Sequence, residues 1–239
     1  MKATYKKHIL NFKRPSGTSR GVMTEKETWF LLLEDNGKIG VGECGLLRGL
    51  SVDDRPDYEE KLQWVCQNIH LGKDNLWNEL LEFPSLQFGV EMAFVSLEAE
   101  TPFKLFPSDF IKGKEAITIN GLVWMGEEAF MKQQIEEKLA DSFTCIKLKI
   151  GAIDFQQELD LLAFIRKHFD EKTIEIRVDA NGAFSPDEAL EKLQLLSKYQ
   201  LHSIEQPIKA GQFEAMRELC QQTPFPIALD EELIGVFSL

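Results

Sequence analysis

A chain of 239 residues, 44% hydrophobic and 28% charged, is long enough for one large domain or two small ones with real cores. Its 27 basic and 39 acidic residues leave a formal charge of −12, which argues against nucleic acid or an anionic membrane surface as partner. No apolar run approaches a membrane span, and Met1 to Lys7 leads into an alternating segment instead of a signal-peptide core, so the expected location is the cytoplasm.

Residues Tyr5 to Lys13, Thr28 to Asp35 and Lys38 to Glu43 read as strands, the last two joined by Asn36-Gly37, a strong hairpin signal. Helical periodicity follows around Tyr58 to Asn68, Leu76 to Glu82 and Phe88 to Glu98. Residues 1–100 therefore read as an α+β unit, and 101–114, which carries Pro and Gly, reads as a linker. Cys44, Cys66, Cys145 and Cys220 show no C-x-x-C pair and no His at metal-ligand spacing, so they are expected to be reduced, mostly buried thiols.

From residue 115 onward, short apolar strands alternate with helices. The strand candidates are Ile117 to Trp124, Cys145 to Ile150, Ile174 to Val178, Ser203 to Glu205 and Ile227 to Leu229. Helices are expected near Glu127 to Ala140, Phe155 to His168, Pro186 to Tyr199 and Gln212 to Gln221, with Ser185-Pro186-Asp187-Glu188 a well-formed helix start. This alternation implies a parallel sheet, and the lack of a G-x-G-x-x-G or P-loop favours a (β/α) barrel over a dinucleotide-binding fold.

The Cys145 to Ile150 strand places Lys147 and Lys149 on one face, opposite Ile146 and Leu148. At roughly 7 Å and an effective dielectric of about 20, two ammonium groups repel by ~2.4 kcal/mol, so such a pair is expected to favour loss of a proton. Three later strands close with a carboxylate: Asp179, Glu205 and Asp230, each about one βα unit from the next. In a barrel the strand C-termini converge, and gathered carboxylates with room for water and substrate suit Mg²⁺. One such carboxylate alone is as readily a helix cap, and one strand lysine a residue snorkelling to water; together they point to a site. Trp29, Trp64, Trp77 and Trp124 are expected in the core, and His8 and His168 read as structural.

Lys147-Leu148-Lys149, Val178-Asp179-Ala180-Asn181, Ile204-Glu205-Gln206-Pro207 and Leu229-Asp230-Glu231-Glu232 resemble, in order and spacing, the muconate-lactonizing subgroup of the enolase superfamily. The Arg20-Gly21 loop, Gly42-Glu43, Glu91-Met92-Ala93 and Ile119-Asn120-Gly121-Leu122 look most like its dehydratases of menaquinone biosynthesis. That resemblance implies an enolase-type (β/α) barrel preceded by an α+β capping domain. It implies a carbon–oxygen lyase that takes the proton α to the carboxylate of 2-succinyl-6-hydroxy-2,4-cyclohexadiene-1-carboxylate and expels water. By the same resemblance Lys149 is the base, then the acid for the leaving hydroxyl, and Lys147 its tuning partner. Asp179, Glu205 and Asp230 would ligate Mg²⁺, with Mn²⁺ as a substitute, and Arg20, Leu47, Leu50 and Asn120 are substrate-binding candidates. Racemases, dipeptide epimerases and cycloisomerases of the superfamily use the same groups, and a truncated barrel that binds without turnover is the rival outside enzymes. Five barrel strands precede Leu239 where eight close a barrel, and the family's lysine on a later strand has no counterpart, so 115–239 is expected to be the first part of a longer barrel.

Overall fold

The computed structural model describes residues 1–18 and 21–236, in two compact units, Met1–Ile117 and Thr118–Leu239. Residues 101–114 belong to the first unit instead of standing between the two; Ser96 donates to the Pro102 carbonyl at 2.7 Å and ties that stretch down. Among the described residues no helix is long and apolar enough to cross a membrane.

The first unit opens with an antiparallel sheet of β1 (Lys2–Thr18), β2 (Gly21–Asp35) and β3 (Lys38–Cys44), followed by α1 (Tyr58–Gln67), α2 (Lys73–Glu79) and α3 (Pro84–Glu98). Asn36 and Gly37 both take positive φ, 49° and 79°, the geometry a two-residue turn needs to follow the twist of its strands. Trp29, Leu31 and Leu33 point from β2 into a core completed by Tyr58 and Leu62 of α1 and Leu86, Val90 and Ala93 of α3. Trp29 and Tyr58 pack with ring centroids 4.9 Å apart and their planes tilted by 52°. The β3 strand meets α3 backbone to backbone: a Cβ built on Gly42 would lie 1.8 Å from the Gly89 carbonyl oxygen, and one on Gly89 would lie 2.2 Å from Cys44 Sγ. Only glycine permits that approach.

The second unit is a parallel sheet in the order β4 (Gly121–Val123), β5 (Cys145–Lys149), β6 (Glu175–Asp179), β7 (Ser203–Glu205) and β8 (Ile227–Ala228), five strands among the described residues. Between them run α4 (Glu128–Ala140), α5 (Phe155–His168), α6 (Pro186–Leu196) and α7 (Phe213–Gln222). The first strand is shorter than its apolar run predicts, because Ile117 and Ile119 stay exposed and the ladder to β5 begins only at Gly121. One face of the sheet, Val123, Ile146, Leu148, Ile176, Val178 and Ile204, packs against Met131, Ile135, Leu162, Leu193 and Leu196 of the helices. Each such side chain contributes roughly 1.5–3 kcal/mol. The other face carries Lys147, Lys149, Asp179 and Glu205.

At the start of α6 the Ser185 backbone N–H donates to Glu188 Oε1 at 3.1 Å, closing a capping box. Ser185→Ala removes the side-chain half and is expected to cost about 1 kcal/mol, read as a lower urea midpoint. The cysteines pair with none of their kind. Cys44 and Cys145 are buried, but Cys220 is exposed on the outer side of α7, so the expectation of mostly buried thiols holds for only part of the set. Burial pushes the Cys44 thiol up to about 12 and Cys66 up to about 11, which leaves neither a ready nucleophile.

Candidate active site

Register fixes what shares the inner face. Lys149 pairs with Asp179, Asp179 with Glu205 and Glu205 with Ala228, so three of the candidate side chains lie in one row across β5, β6 and β7. One step back along the strands lie Lys147, Arg177 and Ser203. The alternation that buries Ile146, Leu148, Ile176 and Val178 on the helix side leaves these groups on the other.

Asp179 is fully buried and is the hub of the row. Its Oδ2 accepts from Lys149 Nζ at 2.7 Å and lies 3.4 Å from Lys147 Nζ, while its Oδ1 accepts from the Asn181 backbone N–H at 3.0 Å. Lys147 forms a second ion pair with Glu205 Oε2. Lys149 also donates to Asn181 Oδ1 at 2.8 Å. The lysines are thus interleaved with carboxylates, which for Lys147 overturns the expected weakening of its hold on the proton. For Lys147, burial works toward neutrality, but the hydrogen bond to Glu205 and the charge of Asp179 outweigh it and hold the ammonium above the ordinary lysine range. Burial lifts the Glu205 carboxyl, helped by the charge of Asp179 beside it and opposed by Lys147.

The loop after β5 is pinned by a buried carboxylate: Glu158 Oε1 accepts from the Gly151 N–H at 2.5 Å. On the other side, Trp124 follows Val123, whose register partner is Leu148, so it stands level with Lys149. Its backbone N–H and C=O both bond to the side-chain amide of Gln134 at 3.0 Å. Trp124 is 41% exposed, a correction to its expected place in the core; the core face of β4 ends at Val123. Trp77, 42% exposed on α2, departs from the same expectation.

The third expected ligand, Asp230, lies two residues past the end of β8 with its side chain exposed, while Asp179 and Glu205 share Lys147 as an ion-pair partner. Among the described residues no three acidic, His or Cys side chains cluster closely enough to hold an ion. The donor chemistry still fits a hard divalent cation. Asp179 and Glu205 offer anionic oxygens whose present counter-charges are two flexible ammonium groups, and the next residue, Glu231, has a buried Oε2 with no hydrogen-bond partner among the described residues. Glu231 Oε1 accepts from Asn181 Nδ2 at 3.1 Å, so Asn181 bridges the lysine side of the site to the β8 loop.

Of the substrate-binding candidates, Arg20 lies outside the described residues. Asn120 precedes Gly121, the first paired residue of β4, and so lies at the end of the sheet opposite Lys149; the ends of strands that carry Asp179 and Glu205 are the other ones. In the first unit Leu47 and Leu50 belong to a tight turn, the Leu50 N–H donating to the Leu47 carbonyl at 3.1 Å and the Leu47 N–H to Ser51 Oγ at 2.9 Å. Arg48 of that turn donates to Glu27 and Asp54 at 2.6 and 2.8 Å and covers the Trp29 ring. Sequence reasoning missed Asn181 and Gln206, which hold the strand ends in place; both take positive φ, 45° and 40°, a backbone state that spacing does not reveal.

A parallel (β/α) sheet with a K-x-K strand facing acidic ends of the next strands is the acid/base layout of the enolase superfamily, and the family model "Enolase C-terminal domain-like" matches residues 130–239. The chain is 43% identical to the o-succinylbenzoate synthase of Desulfotalea psychrophila over 99% of its own length and 73% of that protein. A crystal structure of MenC from the same organism superposes with a TM-score of 0.84 at 39% identity, covering 100% of this chain and 73% of that one. The o-succinylbenzoate synthase from Thermosynechococcus elongatus, solved with Mg in its active site, shares the fold with a TM-score of 0.79 at 22% identity, over 97% of this chain and 69% of that one. The chain belongs to the o-succinylbenzoate synthase family.

Proposed function

We propose that this chain carries the Mg²⁺-dependent dehydration of 2-succinyl-6-hydroxy-2,4-cyclohexadiene-1-carboxylate to 2-succinylbenzoate, the o-succinylbenzoate synthase step of menaquinone biosynthesis. The observation that carries the reading is the row of Lys149, Asp179 and Glu205 on one face of β5 to β7, in a chain 43% identical to a curated synthase. Its substrate is a small carboxylate.

Lys149 acts first. With its amine neutral, Nζ takes the proton α to the substrate carboxylate, and the electron pair left behind conjugates into that carboxylate. The same Nζ, now an ammonium, protonates the hydroxyl on the adjacent ring carbon as the C–O bond breaks, so one proton is taken and returned and water leaves on the same face. Asn181 Oδ1, at 2.8 Å, orients Lys149 through both steps. Lys147 stays cationic beside the developing negative charge, consistent with its tight hold on its proton.

Asp179, Glu205 and Asp230 would hold Mg²⁺. When bound, Mg²⁺ supplies the positive charge that these carboxylates otherwise draw from the two ammonium groups, and it stabilises charge on the substrate carboxylate. Chelation with EDTA is expected to abolish turnover, and Mg²⁺ at a hundred times its Kd to stabilise the fold by about 2.7 kcal/mol, read as a rise in thermal midpoint. Full activity in EDTA-treated, metal-free protein would refute the metal's part. Mn²⁺ is expected to replace Mg²⁺, since its ligand preferences are the same hard oxygens.

A further inference from the structure

Gln206 follows Glu205 and is fully buried, and every hydrogen-bonding group it owns is used. Its backbone N–H donates to the Ala228 carbonyl at 2.9 Å, and its carbonyl accepts from the Gly182 N–H at 2.7 Å. Its side-chain Oε1 accepts from the backbone N–H groups of Asp230 at 3.1 Å and Glu232 at 3.2 Å. Its Nε2 donates to the Ile208 carbonyl at 2.9 Å and to Glu232 Oε2 at 3.2 Å. One residue therefore touches the loop after Asp179, the turn after Glu205 and both flanks of the Asp230 turn.

The β8 strand explains why this matters. It is only two residues long, and the last ladder bond between β7 and β8 is the one from Gln206 to Ala228. Past that point no strand pairing sets the place of Asp230. The bonds that reach its turn from β7 are those of the Gln206 side chain. Gln206 also adopts φ of 40°, a left-handed state that a side chain rarely accepts unless its surroundings fix it, and here four side-chain hydrogen bonds do so. A residue concerned only with packing would need none of this polarity at a fully buried site.

We infer that Gln206 is a positioning residue whose side-chain amide sets the Asp230 main chain relative to Glu205 and so shapes the cation site. The inference rests on the reading of Asp230 as a ligand, and the test separates the two. Mg²⁺ affinity is measured by isothermal titration calorimetry on the full chain, beside the thermal midpoint without metal, for Gln206→Leu, Asp230→Asn and the paired swap Gln206→Glu with Glu232→Gln. The swap exchanges amide and carboxylate across one hydrogen bond: the carboxylate placed at 206 still accepts from both backbone N–H groups and from the amide placed at 232, but loses the donation to the Ile208 carbonyl.

Gln206→Leu is expected to raise the Mg²⁺ Kd by about 10- to 100-fold, the range for a group that orients a ligand without touching the ion. The swap keeps the two bonds to the Asp230 and Glu232 N–H groups and is expected to return part of that affinity. Unchanged affinity in Gln206→Leu, with Asp230→Asn weakened, overturns the inference and leaves the ligand reading standing. Unchanged affinity in Asp230→Asn overturns both. If Gln206→Leu does not fold, Gln206→Met, which keeps the length of the side chain and removes the same four hydrogen bonds, decides in its place: an Mg²⁺ Kd raised about tenfold or more supports the role, and a smaller change refutes it.

Discussion

Replacing Lys149 by alanine is expected to lower the dehydration rate by about 10²- to 10⁴-fold, the span that a positioned acid/base group contributes. In the proposed mechanism two proton transfers pass through this one Nζ, so loss of water and exchange of the substrate α-proton with deuterated solvent should fail together. The fold should survive, because Asp179 keeps Lys147 at 3.4 Å and the Asn181 N–H at 3.0 Å. Mg²⁺ binding should be unchanged or tighter, since one of the two ammonium groups competing for Asp179 is gone. Lys149→Arg should be as inactive as the alanine variant, because a guanidinium does not give up its proton at any working pH. An alanine variant that still exchanged the α-proton at the native rate would remove Lys149 from the mechanism.

The largest effect on stability is expected at Gly42→Ala. A methyl group there would lie 1.8 Å from the Gly89 carbonyl oxygen and 2.9 Å from the Ala93 nitrogen. Both are backbone atoms of α3, so no rotamer change relieves the clash, and the helix must lift from β3. Lifting it would open the face formed by Leu86, Val90 and Ala93, all buried to within about one per cent. The expected cost is about 3 kcal/mol or more, at the upper end of overpacking, followed by urea unfolding of the first unit. Gly121→Ala is the comparison. Its new methyl would meet Phe143 and Lys138 side chains at 3.0 and 3.1 Å, groups able to give way, so its cost should be clearly smaller. Equal midpoints for the two variants would show that the contact between β3 and α3 is softer than its geometry indicates.

Period and end signals made much of the fold legible in the sequence. The Asn36-Gly37 turn, the capped start of α6 and the strand of alternating Ile, Lys and Leu at β5 all follow from local chemistry. Lys147, Lys149, Asp179 and Glu205 were legible as one site because strand parity and βα spacing place them on one face. Pairwise register was not legible, since nothing local says which residue of β5 stands beside which of β6. The repulsion between the lysines is therefore legible, and the particular ion pairs that register makes with Asp179 and Glu205 are not. Asp230 is legible as a residue at the end of its strand but not in its exact setting: the apolar run Ile227 to Leu229 reads as a longer strand, yet pairing stops at Ala228 and the aspartate falls past the ladder. Gln206 and Asn181 act through backbone groups distant in sequence or through left-handed turns, which residue type alone does not announce.

The placement of Trp124 has a practical consequence. The chain has four tryptophans, and Trp29, Trp64 and Trp77 all belong to the first unit, which leaves Trp124 as the indole of Thr118–Leu239. Its backbone is gripped on both sides by Gln134, its ring is partly open to solvent, and it stands level with Lys149. Substituting the other three with phenylalanine would leave a single native indole whose emission reports dryness and charge at the end of the sheet that carries Lys149 and Asp179. Ligand arrival there could then be followed in real time without a label, and separately from anything that happens in the first unit.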